Sequence, residues 1–116
     1  MDWNLLLDET GGPNHVGNLC SAPIHHDRTT GAIHYQSSYF YVGHFSRHVR
    51  PGARRIAVGN PRDDLEAIAF RNPEGDVAVV AMNRTDAAIP LSVQVGERTA
   101  CGSLPPHAIV TLVTGA

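Results

Sequence analysis

The run Asp2-Trp3-Asn4-Leu5-Leu6-Leu7-Asp8-Glu9-Thr10-Gly11-Gly12-Pro13-Asn14-His15 decides how this chain is read. Residues 2 to 7 form an apolar run that predicts a short buried strand. Gly11-Gly12-Pro13-Asn14 then turns the chain abruptly, because Gly tolerates positive φ and Pro presets its own. In α/β barrels, ligand sites are built from the loops just past strand ends. An aromatic residue on the strand with a polar loop behind it therefore has the layout of a pocket wall. The strand also starts at residue 2 with no approach segment, as if the chain opened inside a larger domain.

Outward from this run, residues 8 to 34 show no hydrophobic period and hold Ala22-Pro23 and Thr29-Thr30-Gly31. Loops of that length in compact domains tend to be functional. His25-His26 falls in this predicted loop. Residues 36 to 50 predict one helix, since Tyr35, Tyr39, Val42, Phe45 and Val49 recur at three- and four-residue steps and make one apolar stripe. Ser37 or Ser38 caps its start, and Arg50-Pro51-Gly52 stops it. Gly43, at a cost of about 1 kcal/mol against Ala, reads as a point of close packing.

From residue 53 the period changes to two. Strands are expected around residues 54–58, 65–70, 77–82, 89–95, 98–101 and 108–113, with turns at Asn72-Pro73-Glu74-Gly75 and Asn83-Arg84-Thr85-Asp86. Short strands with regularly spaced turn signals indicate an antiparallel sheet or sandwich. The fold class expected is mainly β: an antiparallel β-sandwich at the C-terminal end, behind a strand, a loop and one helix.

Composition narrows the function. The chain has 116 residues, 42% of them apolar, and a net charge of −2 with no block of like charges. Nothing points to nucleic acid or to an anionic membrane, and no apolar run approaches spanning length. All nine basic residues are Arg, a bias that reads as a GC-rich bacterial genome, and they are scattered along the sequence. Cys20 and Cys101 form no CxxC and no disulfide framework; two buried free thiols are expected. No signal peptide is visible, so localisation is left between the bacterial cytoplasm and export with a longer protein.

The ordered set Trp3-Asn4-Leu5, Gly11-Gly12-Pro13-Asn14, Asn18, Ala22-Pro23-Ile24, Tyr39-Phe40-Tyr41-Val42-Gly43-His44-Phe45-Ser46 and Arg50-Pro51-Gly52 resembles the C-terminal end of glycoside hydrolase family 30, the glucosylceramidase-like β-glycosidases. The resemblance runs from about residue 2 to the region near Asn83. It implies a (β/α)8 barrel fused to a β-sandwich, with residues 1–52 as the last strand, loop and helix of the barrel and residues 53–116 as the sandwich. It also implies that the sandwich borrows strands from the N-terminal end of the protein.

The activity implied is retaining hydrolysis of a β-glycoside such as glucosylceramide. That chemistry needs two carboxylates roughly 5–5.5 Å apart. In the family they are glutamates on earlier barrel strands, so the chain itself is expected to be inactive. Asp8 and Glu9 serve the turn or face solvent. Trp3 is the first candidate for substrate binding: indole faces stack on sugar rings and the N–H still donates. Pattern alone leaves a core tryptophan equally open, and the resemblance selects the pocket wall. Asn18, with an amide that donates and accepts toward hydroxyls, is the second candidate, against a loop residue bonding its own backbone. Asp2, beside Trp3, is the third, as a residue orienting a pocket group.

His44 and His48, at i and i+4 on the predicted helix, have ligand-compatible spacing. There is no HExxH and no Cys/His quartet, so no metal and no cofactor is expected. Asn83-Arg84-Thr85 fits a glycosylation pattern by chance, in a turn. Expected partners are a β-glycoside substrate held by the parent barrel and, through exposed edges, other copies of the chain. The competing class is a freestanding structural or carbohydrate-binding sandwich. Such a module would line one sheet face with aromatics, and only Phe70 falls within the predicted sheet.

Overall fold

The computed structural model describes residues 4–12, 17 and 20–115. It holds, in chain order, β1 (Leu6–Asp8), β2 (Ile24–His26), β3 (Ile33–Tyr35), α1 (Ser37–Ser46), β4 (Arg54–Ile56), β5 (Leu65–Arg71), β6 (Val77–Asn83), β7 (Ile89–Val95), β8 (Arg98–Leu104) and β9 (Ile109–Val113). Two compact units divide at Gly43 and His44, inside α1. Mainly β, with an antiparallel sandwich behind a strand, loop and helix, is the architecture observed.

The first unit contains a three-stranded sheet in the order β1-β2-β3. β1 and β2 run parallel, with Leu6 opposite Ile24 and Asp8 opposite His26. β2 and β3 are antiparallel. Leu7 and Ala22 are buried here. The structure corrects the expectation of an unstructured loop across residues 8–34, because His25 and His26 belong to β2. Three-residue strands are too short to show a period of two, so the pattern was invisible in sequence.

The helix is shorter than the stripe implied, ending at Ser46 rather than Arg50. No side chain caps its start among the described residues; instead the Tyr39 N–H donates to the Gln36 carbonyl at 3.0 Å. None of its residues is buried. Tyr39, Phe40, Tyr41, Val42 and Phe45 are all exposed, and the helix is apolar on every side. Helices of that kind are normally buried within a larger structure.

The second unit is the sandwich. One layer is the antiparallel sheet β4-β5-β6-β9, and the other is the β7-β8 hairpin. β6 lies in the centre of its sheet and is buried along nearly its whole length, and it reads as the continuous apolar run Val77-Ala78-Val79-Val80-Ala81. Ala81, Ile89, Leu91 and Leu104 form one cluster between the layers, and Ala69, Val77 and Val79 form a second. β7 alternates as predicted, with Ile89 and Leu91 buried and Pro90 and Ser92 exposed. Turns of positive φ at Gly52 (86°) and Gly75 (96°) follow α1 and join β5 to β6, where glycine has no Cβ to clash.

Candidate functional site

The site predicted from sequence lies around β1. Trp3, Asn18 and Asp2, with Pro13, Asn14 and His15, fall outside the described residues. What is described is the frame on either side of them. Asn18 belongs, in sequence, to the segment joining β1 to β2.

That frame is built by Asp8. Its Oδ1 accepts from the Thr10 N–H at 3.0 Å, the Thr10 hydroxyl at 2.7 Å and the Gly12 N–H at 2.8 Å. The Asp8 N–H donates to the Gly12 carbonyl at 2.7 Å, and the Gly11 N–H to the Asp8 carbonyl at 3.0 Å. Gly11 takes φ 75°. These bonds close a tight turn directly after the strand. Gly11 and Gly12 are buried in it, which is why two glycines stand there.

Arg28, from the segment after β2, reaches this turn. Its guanidinium lies 3.1 Å from Asp8 Oδ2 and 3.2 Å from Glu9 Oε1, and its own N–H donates to Glu9 Oε2 at 3.0 Å. β1 and β2 are parallel, so the segments leaving their C-terminal ends emerge on the same side of the sheet. Arg28 ties the two segments together.

The electrostatics decide what these carboxylates can do. The Thr10 hydroxyl, then the Gly12 N–H, hold the Asp8 carboxyl below the usual range, and Arg28 adds to it. The Arg28 backbone N–H, then its guanidinium, do the same for Glu9. A general acid must carry a proton near neutral pH. Both groups are instead held ionised by donors that also fix the turn. Their oxygens are engaged in the turn and in its tie to Arg28.

Among the described residues the histidines join no metal-holding group of three, although His25 and His34 stand opposite each other in the β2–β3 register. His44 is on α1 but His48 lies beyond its end, so the helical i, i+4 pair expected from sequence is not formed. His44 Nδ1 is 2.8 Å from the Thr111 hydroxyl of β9. His25 Nε2 accepts from the Ala22 N–H at 3.1 Å, which places the ring proton on Nδ1. Among the described residues no three His, Cys, Asp or Glu side chains stand together as a metal set. Both cysteines are exposed, against the expectation of burial: Cys101 is on the outer strand β8, and Cys20 lies just before β2.

Sequence reading missed two structural asparagines. Asn83 is fully buried; its Nδ2 donates to the carbonyls of Ala87, Leu104 and Pro105 at 2.8, 3.1 and 2.9 Å, and its Oδ1 accepts from the N–H and hydroxyl of Thr85. The amide in the apparent glycosylation pattern is thus consumed by the fold. Asn72 accepts from the Arg50 N–H at 2.9 Å and donates to the His48 carbonyl at 2.9 Å, joining the segment after α1 to the β5–β6 turn. The signal available was an Asn standing at the end of a strand, where amides bond local backbone.

Comparison with known proteins agrees with this architecture. The profile of the glycosyl hydrolase family 30 TIM-barrel domain matches residues 1–49, and that of the family 30 beta sandwich domain matches residues 52–112. The chain belongs to glycoside hydrolase family 30. Its sequence corresponds to the C-terminal part of such a protein, the end of the barrel followed by the sandwich. It is 39% identical to the mouse lysosomal acid glucosylceramidase, over 79% of this chain and 18% of that protein. Among solved structures it superposes on SrfJ from Salmonella typhimurium with a TM-score of 0.90 at 41% identity, covering 97% of this chain and 25% of that one. It superposes on the endo-β1,6-glucanase BT3312 with a TM-score of 0.83 at 32% identity, covering 94% and 25%. The chain therefore spans about a fifth to a quarter of the length of these relatives. Among the described residues no helix is long and apolar enough to cross a membrane.

Proposed function

We propose that this chain forms one wall of the substrate pocket in a retaining β-glycosidase, together with the sandwich that supports the barrel. The observation that carries the reading is the order of the two family matches, barrel end then sandwich, along nearly the whole chain. The chain divides near residue 52, into a barrel portion at 1–52 and a sandwich at 53–116. Trp3 stacks on a sugar ring, Asn18 bonds its hydroxyls and Asp2 orients a neighbouring group. The nucleophile and the acid/base are glutamates supplied from outside this chain, as two carboxylates facing one glycosidic bond require. The engagement of the Asp8 and Glu9 oxygens by Thr10, Gly12 and Arg28 supports this.

The substrate class is a β-glucoside. Two relatives support it, one named a glucosylceramidase and one an endo-β1,6-glucanase, and glucosylceramide is the lipid candidate within it. We further assign the chain to a bacterial source. Its exposed Leu5, Leu6, Tyr35 and Phe40 drive self-association when the chain is alone. A freestanding carbohydrate-binding sandwich is disfavoured by Phe70, the sole aromatic residue of β4–β9. Phe70 packs edge-on against Phe45, ring centroids 6.3 Å apart, rather than facing a ligand.

The test is hydrolysis of an aryl β-glucoside by the chain alone and by the chain joined to the barrel portion of a family 30 protein. The proposal expects turnover only from the joined protein. Failure of every correctly folded joined protein to hydrolyse any β-glucoside would overturn it.

A further inference from the structure

The segment between β1 and β2 is held at both ends by side chains. At its entry Asp8 Oδ1 accepts from the N–H groups of Thr10 and Gly12. At its exit the backbone bonds of the sheet stop at Pro23. The Ile24 N–H donates to the Leu5 carbonyl at 3.1 Å and the Gln36 N–H to the Pro23 carbonyl at 2.9 Å, but Pro23 has no N–H to offer. Ala22, one residue earlier, is buried, and a buried N–H needs a partner. That partner is a side chain: His25 Nε2 accepts from the Ala22 N–H at 3.1 Å. The Ser21 hydroxyl stands 3.3 Å from the same nitrogen.

The two anchors differ in chemistry. A carboxylate accepts whenever it is ionised, and the donors around Asp8 hold it so. An imidazole accepts only while neutral, on the one nitrogen that lacks a proton. Once the ring is protonated both nitrogens are donors. Nε2 then loses the Ala22 N–H and keeps only the Ser21 hydroxyl oxygen as a partner. The exit is therefore held at higher pH and released as pH falls through the imidazole range. Among the described residues, Leu7 of β1 and His34 of β3 stand level with His25 on either side. His34 is exposed. Cys20, just before Ser21, is exposed too. Asp27, two residues on, accepts from the N–H groups of Thr29 and Thr30. Asp8 and His26 are level with each other and belong to the opposite face, and Arg28 and Glu9 are bonded to one another beyond the strand ends.

We propose that His25 is a positioning residue for sugar binding: its neutral ring fixes the exit of the segment that carries Asn18, and protonation of the ring weakens substrate binding by releasing Ala22. The inference rests on the reading of Asn18 as a residue that bonds sugar hydroxyls. Asn18 stands four residues before Ala22 in sequence, so the hold on Ala22 limits where its amide meets the sugar. The ring touches no reacting atom. Its effect falls on KM, and kcat stays nearly as it was.

The first readout is nuclear magnetic resonance of the ring in the isotopically labelled 116-residue chain. At about pH 8, above the imidazole range, His25 should carry its proton on Nδ1 and none on Nε2. On titration to about pH 5 the Ala22 amide should shift in step with the His25 ring and lose protection relative to its intrinsic exchange rate. His34→Gln should leave that coupling intact. A proton on Nε2 at about pH 8, or an Ala22 amide that ignores the His25 titration, would overturn the proposal. The second readout is KM for an aryl β-glucoside in the joined protein. From about pH 8 to about pH 5, KM should rise about fivefold more in the unsubstituted protein than in His25→Gln, whose Oε1 accepts without titrating; that factor is the scale of one neutral hydrogen bond. His25→Phe, which cannot accept, should raise KM about fivefold already at about pH 8, with kcat nearly unchanged. If His25→Phe unfolds, the comparison with His25→Gln decides alone. Matching KM profiles for the unsubstituted protein and His25→Gln would overturn the positioning role, even with Ala22 coupled to the ring. Inactivity of every folded joined protein would overturn the parent reading and the positioning role together, while the ring readout still judges the hydrogen bond by itself.

Discussion

Asn83 is the residue whose replacement should cost the sandwich most. It is fully buried at the end of β6 and makes five side-chain hydrogen bonds. Two Nδ2 hydrogens are shared among three carbonyls, so the donors count as two bonds, and the two bonds accepted from Thr85 bring the total to four. At about 1 kcal/mol net per bond, less what water entering the gap restores, Asn83→Ala should lose about 3 kcal/mol. Asn83→Asp keeps the shape but not the donors, and it sets a buried carboxylate against three carbonyl oxygens; it should lose more. The assay is urea unfolding followed by circular dichroism. With a slope of about 1.5 kcal/mol per molar, the midpoint of Asn83→Ala should fall by about 2 M at unchanged slope. Thr85→Ala should lose about 1 kcal/mol, and the double variant less than the sum, because the partners are shared. A fall of less than about 0.5 M for Asn83→Ala would refute the reasoning, since it would mean that the carbonyls of Ala87, Leu104 and Pro105 gain nothing from the amide.

The chain alone should not hydrolyse aryl β-glucosides at any pH; turnover abolished by Asp8→Asn or Glu9→Gln would contradict the structural role given to those carboxylates. Acid should loosen the first unit. The Asp8 and Glu9 carboxyls lie below their ordinary values when folded, so they contribute stability that is complete above the unfolded carboxylate range, near pH 4, and is lost as pH falls through the folded values. Protection of the Thr10 and Gly12 amides relative to their intrinsic exchange rates should therefore fall below about pH 4 and stay flat above it; a loss of protection on raising the pH from 5 to 7 would reverse the sign.

The sandwich was readable in sequence because its strands are long enough to show their period. β7 displays period two, and β6 displays an unbroken apolar run that only a central strand can bury. β2 and β3, at three residues each, leave no such trace, and the pairing of β2 with β1 is decided by contacts remote in sequence. That α1 is a helix was readable, but its one-sided stripe and its end were not: Tyr35 and Val49 lie outside it and its apolar residues face every side. Asn72 binds the Arg50 N–H and the His48 carbonyl across 22 and 24 residues, and nothing near residue 46 announces that bond. The Asp8 turn could be read from its glycines. The reach of Arg28 back to Asp8 and Glu9 could not, since it depends on two segments leaving parallel strands on one side. The facing of Arg54 and Arg71 also escaped notice: they are 17 residues apart along the chain and become opposite only through the β4–β5 register.

The central claim is that this chain supplies a sugar-binding wall to a family 30 active site, and Trp3 tests it most directly. In the joined protein, Trp3→Ala and Trp3→Phe are compared with the parent for kcat and KM on an aryl β-glucoside, beside urea unfolding of each. The account predicts that Trp3→Ala lowers kcat/KM by at least about tenfold, a loss of about 1.4 kcal/mol in transition-state stabilisation, while the unfolding midpoint moves little. It predicts that Trp3→Phe, which keeps an aromatic face, recovers part of that loss. Unchanged kinetics in a folded Trp3→Ala variant would place Trp3 outside the pocket and contradict the account.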